Sequence, residues 1–262
     1  MSEIFDKYYY YSRSVQSAEN DVDFFNQFYK GFRKTEALTF REDFCGGFMI
    51  CCEWVKLGNK KKAIGLDLDQ EPIEYGFKNY LEKLNQDQKK RVSIFEKNVL
   101  SPDLPKADIA AALNFSYFIF KEREVLKSYF KNTYDSLNKD GLFFLDCFGG
   151  PATQERNEEE VEHEGFSYYW DQDYFNPINN NAKFYIHFKL DHEKRKRERV
   201  FSYDWRMWSL PELRDILLEV GFSDVKILWE GTDKDGDGDG IFTETQEGEE
   251  CESWIAYVVG CK

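Results

Sequence analysis

From residue 37 to residue 149, short apolar runs alternate with longer stretches in which apolar residues recur every three or four positions. Strands take the first pattern and helices the second, and their alternation predicts a parallel sheet joined by crossover helices. The strands fall at 38–44, 63–67, 92–97, 109–113 and 142–147. Ile73, Phe77, Tyr80 and Leu84 share one helical face; Val125, Leu126, Tyr129, Phe130 and Leu137 share another, followed by Gly141. Ahead of this core, 21–32 reads as a helix with Val22, Phe25 and Tyr29 on its apolar side, widened by Phe24, Phe28 and Phe32. Behind it the period drops to two. Phe184, Ile186, Phe188 and Leu190 alternate with other residues inside 166–205, which predicts an inserted antiparallel meander. Ser209 and Glu212 form a capping box, Leu213, Ile216, Leu217 and Val220 line the helix it opens, and Gly221 ends it. The last two strands, 225–229 and 254–259, have no crossover helix between them and so pair antiparallel.

These elements define an α/β fold: a doubly wound, mostly parallel seven-stranded sheet with an antiparallel last strand pair, an N-terminal helical cap and an inserted β meander. One domain is expected over 1–262, made of a cap (1–36), a βαβ core (37–150), a β lid (166–205) and a C-terminal helix with its strand pair (206–262). A formal net charge of −14 repels phosphate backbones, so no nucleic-acid partner is expected; the basic run at 194–199 is interrupted by Glu198 and reads as a solvated turn. The six cysteines lack metal-ligand spacing, and no metal site is assigned. No stretch is apolar enough to span a bilayer, and Asp6 and Lys7 sit where a signal peptide would be basic and then apolar, so a cytoplasmic protein without a membrane partner is expected.

In doubly wound sheets the ligand lies beyond the carboxyl ends of the strands. After the first strand comes Asp43-Phe-Cys45-Gly46-Gly47, a tight turn that lacks the G-x-G-x-x-G of dinucleotide sites. Asp43 would repel a pyrophosphate, which disfavours an NAD-dependent oxidoreductase and suits a cationic ligand such as S-adenosylmethionine. Asp67 ends the second strand 24 residues later, near the spacing at which a carboxylate meets ribose hydroxyls, while Asp69 is free to cap the next helix.

Together with Asn98-Val99 after the third strand and Asn114-Phe-Ser after the fourth, these runs resemble the ordered motifs of class I S-adenosylmethionine-dependent methyltransferases of small-molecule type. The resemblance implies that Cys45, Gly46 and Gly47 lie against the methionine moiety with Asp43 nearby, and that Asp67 holds the ribose. It further implies that Leu68 and Val99 flank the adenine, that Asn98 bonds its amine, and that Asn114 sits beside the methionine amine. The chain departs from the family by carrying Cys45 and Met49 where glycine is usual. Arg41 and Glu42 occupy buried strand positions, where unpaired charges are costly, so a paired network near the cofactor is expected, with Arg41 a candidate for the cofactor carboxylate.

Asp233, Asp235, Asp237 and Glu244 match EF-hand spacing, but strand-like Ile227, Leu228 and Trp229 precede them where a helix is required; a glycine-rich hairpin loop is the reading adopted. His187 alternates with the Phe and Ile positions of its strand, which puts it on an exposed face. No certain base stands out. Tyr11, Tyr117, Asp171 and Arg206 are candidate catalytic residues, each equally readable as core or cap structure. The N-terminal tyrosines and the aromatic meander would close over the strand ends, which predicts a small-molecule acceptor for methyl transfer by in-line displacement. A non-catalytic cofactor-binding or regulatory protein, or a protein methyltransferase, are the alternatives.

Overall fold

Winding 18–33 into a helix brings Val22, Phe25 and Tyr29 to one side, and all three are buried against the sheet, with the Phe25 ring stacked on Phe40 and tilted against Phe144. The same logic runs through the chain. The computed structural model describes residues 5–234 and 238–262. Helices α1 (Lys7–Val15) and α2 (Ala18–Arg33) precede β1 (Thr39–Asp43), α3 (Met49–Trp54), β2 (Lys62–Asp67), α4 (Gln70–Asn79), the single turn α5 (Gln86–Lys89), β3 (Val92–Glu96), β4 (Ala107–Ala112), α6 (Arg123–Ser136) and β5 (Leu137–Gly149). Then come β6 (Asn157–His163), β7 (Phe166–Asn176), β8 (Asn181–Leu190), β9 (Arg197–Arg206), α7 (Leu210–Val220), β10 (Asp224–Thr232), β11 (Gly238–Glu244) and β12 (Trp254–Cys261).

The main sheet runs β11-β10-β12-β5-β4-β1-β2-β3, parallel from β5 to β3, with β12 antiparallel to both β5 and β10. Among the described residues it has eight strands rather than the expected seven. The additional one, β11, is formed by 238–244, the second half of the acidic loop. A strand there is incompatible with the calcium-loop geometry of an EF-hand and agrees with a hairpin; Asp235 and Asp237 lie outside the described residues. Side chains alternate between two cores, one under α2 and α3 and one under α6 and α7. The capping box at Ser209 and Glu212 is formed, and Gly221 closes α7 with a φ of 117°.

The meander is a four-stranded antiparallel sheet, β6-β7-β8-β9, that begins at Asn157, one strand before residue 166. It stands on the carboxyl edge of the main sheet. Phe148 at the end of β5 packs against Trp170 and Phe184, and Trp205 packs against Phe115 and Phe118. Helix α1 is clamped to the same sheet by Tyr10 on Phe166 and Tyr11 on Phe201. No helix among the described residues is long and apolar enough to cross a membrane.

Candidate functional site

The turn after β1 is built from residues in left-handed backbone: Phe44, Gly46 and Phe48 have φ of 59°, 48° and 45°. It is tied down from both sides. Cys45 N–H donates to the Leu66 carbonyl at 3.0 Å, and Gly46 N–H donates to Asp67 Oδ2 at 2.7 Å. Asp67 Oδ1 accepts from the N–H groups of Leu68 and Asp69 at 2.7 and 2.9 Å, so this carboxylate organises the loop after β2 as well as the glycine turn. Asp69 caps α4 by accepting from Glu71 N–H. The Cys45 side chain is accommodated where Gly65 has none: a Cβ at Gly65 would lie 2.7 Å from Cys45 Sγ. Gly76 does the same for the turn, since a Cβ there would lie 2.2 Å from the Gly47 carbonyl oxygen.

Farther along the strand ends, Leu68 is 59% exposed, Val99 is buried, and the Asn98 side chain accepts from Leu100 N–H at 2.8 Å. Asn114 and Phe115, with φ of 53° and 56°, donate their backbone N–H groups to the two oxygens of Asp146 at 2.6 and 2.9 Å. Burial pushes the Asp146 carboxyl up to about 7, and these two donors pull it back toward the ionised form. Thus Gly46 and Gly47, Asp67 and Leu68, Asn98 and Val99, and Asn114 follow β1, β2, β3 and β4 along one edge.

Arg41 and Asp43 face away from that edge. Both side chains are fully buried; Arg41 Nε and Nη2 donate to the Asp43 carboxylate at 2.8 and 3.2 Å, while Nη1 donates to the Pro105 carbonyl and Ser136 Oγ. Tyr129 adds a hydroxyl donor to Asp43 at 2.8 Å. The expected paired network is therefore present, but with different membership: Arg41 spends its donors on Asp43 and has none directed at a ligand carboxylate. Glu42 points to the opposite face, accepts from Cys51 Sγ, and is pushed up to about 8 by burial.

Next to Asn114 opens a cavity of about 510 Å³ between the strand ends, the second sheet, α1 and the β10–β11 hairpin. Tyr11 borders it, half-buried, its hydroxyl pushed up to about 12 by desolvation, lowered by a hydrogen bond with Tyr203 and raised by Asp146. The other three catalytic candidates do not reach it. Tyr117 is fully buried and donates to the Asp146 carbonyl. Arg206 donates to the Lys121 carbonyl and to Glu212 and stacks on Trp208. Asp171 bonds His187.

His187 corrects an expectation. It is 4% exposed rather than surface-facing, because Nδ1 accepts from Arg199 N–H at 2.7 Å and Nε2 reaches Asp171 Oδ2 at 3.0 Å. Glu158 completes a group whose ligand atoms lie within 4.8 Å. With Nδ1 accepting, the neutral ring carries its proton on Nε2, which makes this a structural hydrogen bond with no lone pair left for a metal. Sequence reasoning missed Tyr203, Gln172, Glu159 and Glu230, all on the cavity wall. Tyr203 and Gln172 sit on meander strands, where period-two alternation was the available signal; Glu230 lies in a hairpin that carried none.

No protein-family model matches this chain, and no curated protein matches it. Solved structures do, over nearly the full length, and they show its fold, which is that of S-adenosylmethionine-dependent methyltransferases. Among them is an S-adenosylmethionine-dependent methyltransferase from Clostridium acetobutylicum, 15% identical, with 96% of each chain covered and a TM-score of 0.69. The sugar N-methyltransferase from Streptoalloteichus is 13% identical over 100% of this chain and 97% of its own, with a TM-score of 0.64. An amino pentose methyltransferase from Micromonospora echinaspora is 12% identical over 98% and 99%, with the same TM-score of 0.64.

Proposed function

We propose that this protein binds S-adenosylmethionine along the carboxyl ends of β3, β2, β1 and β4 and transfers its methyl group to a small molecule held in the adjoining cavity. The observation that carries this reading is that Asn114, which follows β4 in the row of strand-end residues, also borders the cavity. The residues fit this cofactor. Gly46 and Gly47 leave bare backbone at the turn, Leu68 offers an exposed apolar face for an adenine, and Gly46, Gly47, Asp67, Leu68, Asn98, Val99 and Asn114 include no lysine or arginine, which suits a cation without phosphate.

When bound, S-adenosylmethionine supplies a methyl group already activated on a sulfonium, so the protein's task is to position the acceptor. A carboxylate offers about four acceptor sites; the three backbone donors on Asp67 leave it able to take a ribose hydroxyl. Asp146 holds Asn114 in place through two backbone hydrogen bonds, which positions the boundary between cofactor and acceptor. Aromatic side chains of β7 and β9 and Tyr11 of α1 exclude water from the acceptor side. The similar structures include methyltransferases of an amino pentose, a sugar and a glycopeptide, which supports an acceptor of modest size. Titration with S-adenosylmethionine and S-adenosylhomocysteine, followed by mass analysis of acceptor mixtures, tests the reading. Saturable binding with methylated product supports it; binding without turnover of any acceptor supports a regulatory protein instead, and no binding overturns it.

A further inference from the structure

The cavity beside Asn114 extends from Tyr11 on α1 to the β10–β11 hairpin, and its far end has a chemistry of its own. Asn114 follows β4, whereas Glu230 lies on β10, three strands away across β5 and β12. At about 4.8 Å per strand, the two stand roughly 14 Å apart along the sheet. The second sheet gives a similar length. Tyr168 shares a cluster with Tyr11, and Gln172 lies four residues farther along β7, roughly 13 Å at about 3.3 Å per residue. The cofactor positions after β3, β2 and β1 lie on the other side of β4, so the sulfonium does not reach this end.

Glu230, Glu249 and Glu250 border the far end beside the indoles of Trp229 and Trp254, whose centroids are 5.2 Å apart. Glu159 joins them from β6, opposite Trp170 and diagonal to Gln172. Among the described residues no lysine, arginine or histidine borders the cavity, and no basic side chain stands over a ring that lines it. Burial holds the Glu230 carboxyl above its usual range; Gly240 N–H pulls it down and Asp239 pushes it up, so a cation alongside would relieve a cost that the fold carries. Gln172 supplies an independent sign. It is 6% exposed, it shares a face of β7 with Tyr168 and Trp170, and its buried Oε1 has no donor among the described residues. An acceptor buried without a donor is costly, and a ligand carrying N–H groups removes that cost.

Resting on the proposed methyl transfer, we infer that the far end is an anchoring subsite for an ammonium or guanidinium group, which the acceptor carries roughly 14 Å from its methylated atom and which is itself not methylated. The glutamates and the indole pair hold its charge, and Gln172 Oε1 takes one of its N–H groups. The same carboxylates repel an acceptor that bears phosphate or carboxylate at that end. Specificity then divides by place: the Asn114 end receives the reacting atom, whatever its element, and the hairpin end selects the length and charge of the molecule that brings it.

The test uses the full chain saturated with S-adenosylhomocysteine, with binding read by calorimetry. Four fragments of one shape are compared: phenethylguanidine, phenethyltrimethylammonium, phenethyl alcohol and phenethyl phosphate. The guanidine is expected to bind about tenfold or more tightly than the alcohol, and the phosphate is expected not to bind at millimolar concentration. Glu230→Gln and Glu249→Gln are each expected to weaken both cations about threefold to tenfold and to leave the alcohol and S-adenosylhomocysteine unchanged. Gln172→Leu removes the buried acceptor at similar volume; it is expected to weaken the guanidine and to spare the trimethylammonium, which has no N–H group. Incubated with S-adenosylmethionine, the guanidine is expected to gain no methyl group by mass spectrometry, because its charge lies away from the sulfonium. If S-adenosylhomocysteine binds but the guanidine has no advantage over the alcohol, keeps its advantage undiminished in both glutamate variants, or is itself methylated on the guanidinium, the inference is overturned while the cofactor reading stands. If S-adenosylhomocysteine does not bind, the cofactor reading fails and the inference, which rests on it, fails with it.

Discussion

Asp67 carries more structure than a ribose ligand alone requires. Its carboxylate joins the glycine turn after β1 to the loop after β2 through three backbone N–H groups, so the residue proposed to hold the ribose also builds the turn beside it. Asp67→Ala is expected to weaken S-adenosylhomocysteine binding by on the order of 2 kcal/mol, about thirtyfold, and to lower the melting temperature as well. Undiminished affinity in a folded variant would contradict the ribose assignment. Glu42 presents a separate case, a carboxyl pushed up from 4.5 to about 8 by burial with a hydrogen bond from Cys51 partly offsetting it. A folded-state value above the unfolded one means that its contribution to stability is full below 4.5 and lost as pH rises through about 8. Asp146 and Asp21, raised by burial to about 7 and about 6, act in the same direction. Glu42→Gln, uncharged throughout, is expected to be more stable than the parent at pH 9 by a few kcal/mol, at about 1.4 kcal/mol per pKa unit, and to differ little at pH 4. Identical pH profiles in thermal unfolding would show that Glu42 is not the group responsible.

Helix α4 and the turn it faces form one unit. Gly76 in the helix costs about 0.5–1 kcal/mol relative to alanine on intrinsic grounds. Packing reverses that preference, because the alanine Cβ would meet the Gly47 carbonyl at 2.2 Å and the Phe48 ring at 2.5 Å. Gly76→Ala is therefore expected to destabilise the protein and weaken cofactor binding at least tenfold; a gain in stability with intact binding, seen by calorimetry, would argue that the turn is not part of the site. How legible each element was followed from how its side chains are used. Strand β4 and the 141–147 part of β5 are buried on both faces and announce themselves as mainly apolar runs, and α7 carries its caps in sequence. Strand β6, Asn157–His163, is exposed along almost its whole length and composed mainly of glutamates, so it has no alternation to read; β11 is exposed and glycine-rich for the same reason. The turns after β1 and β4 were legible at Gly46 and Asn114, where left-handed backbone favours glycine or a short polar residue, and not at Phe44, Phe48 and Phe115, which share that backbone. The direction of Arg41 was not legible. Its pairing with Asp43 two positions along the same strand face, and with Ser136 from α6, arises from tertiary packing that no local pattern encodes.

The parts combine into a division of the sheet edge. The carboxyl ends of β3, β2, β1 and β4 present glycines, Asp67 and two asparagines, and those of β5 and β10, covered by the second sheet and α1, present rings and carboxylates. A net charge of −14 gives the molecule a field that draws cations, which agrees with the proposed cationic cofactor. The fold is shared with methyltransferases at 12–15% identity, so the chemistry must be established on this chain itself. The most direct measurement is calorimetric titration of the full chain with S-adenosylhomocysteine, run in parallel on the parent protein and Asp67→Ala. Saturable one-to-one binding to the parent, weakened at least tenfold in the variant, is the expected result; absence of binding to the folded parent would contradict the assignment of the strand ends as a cofactor site.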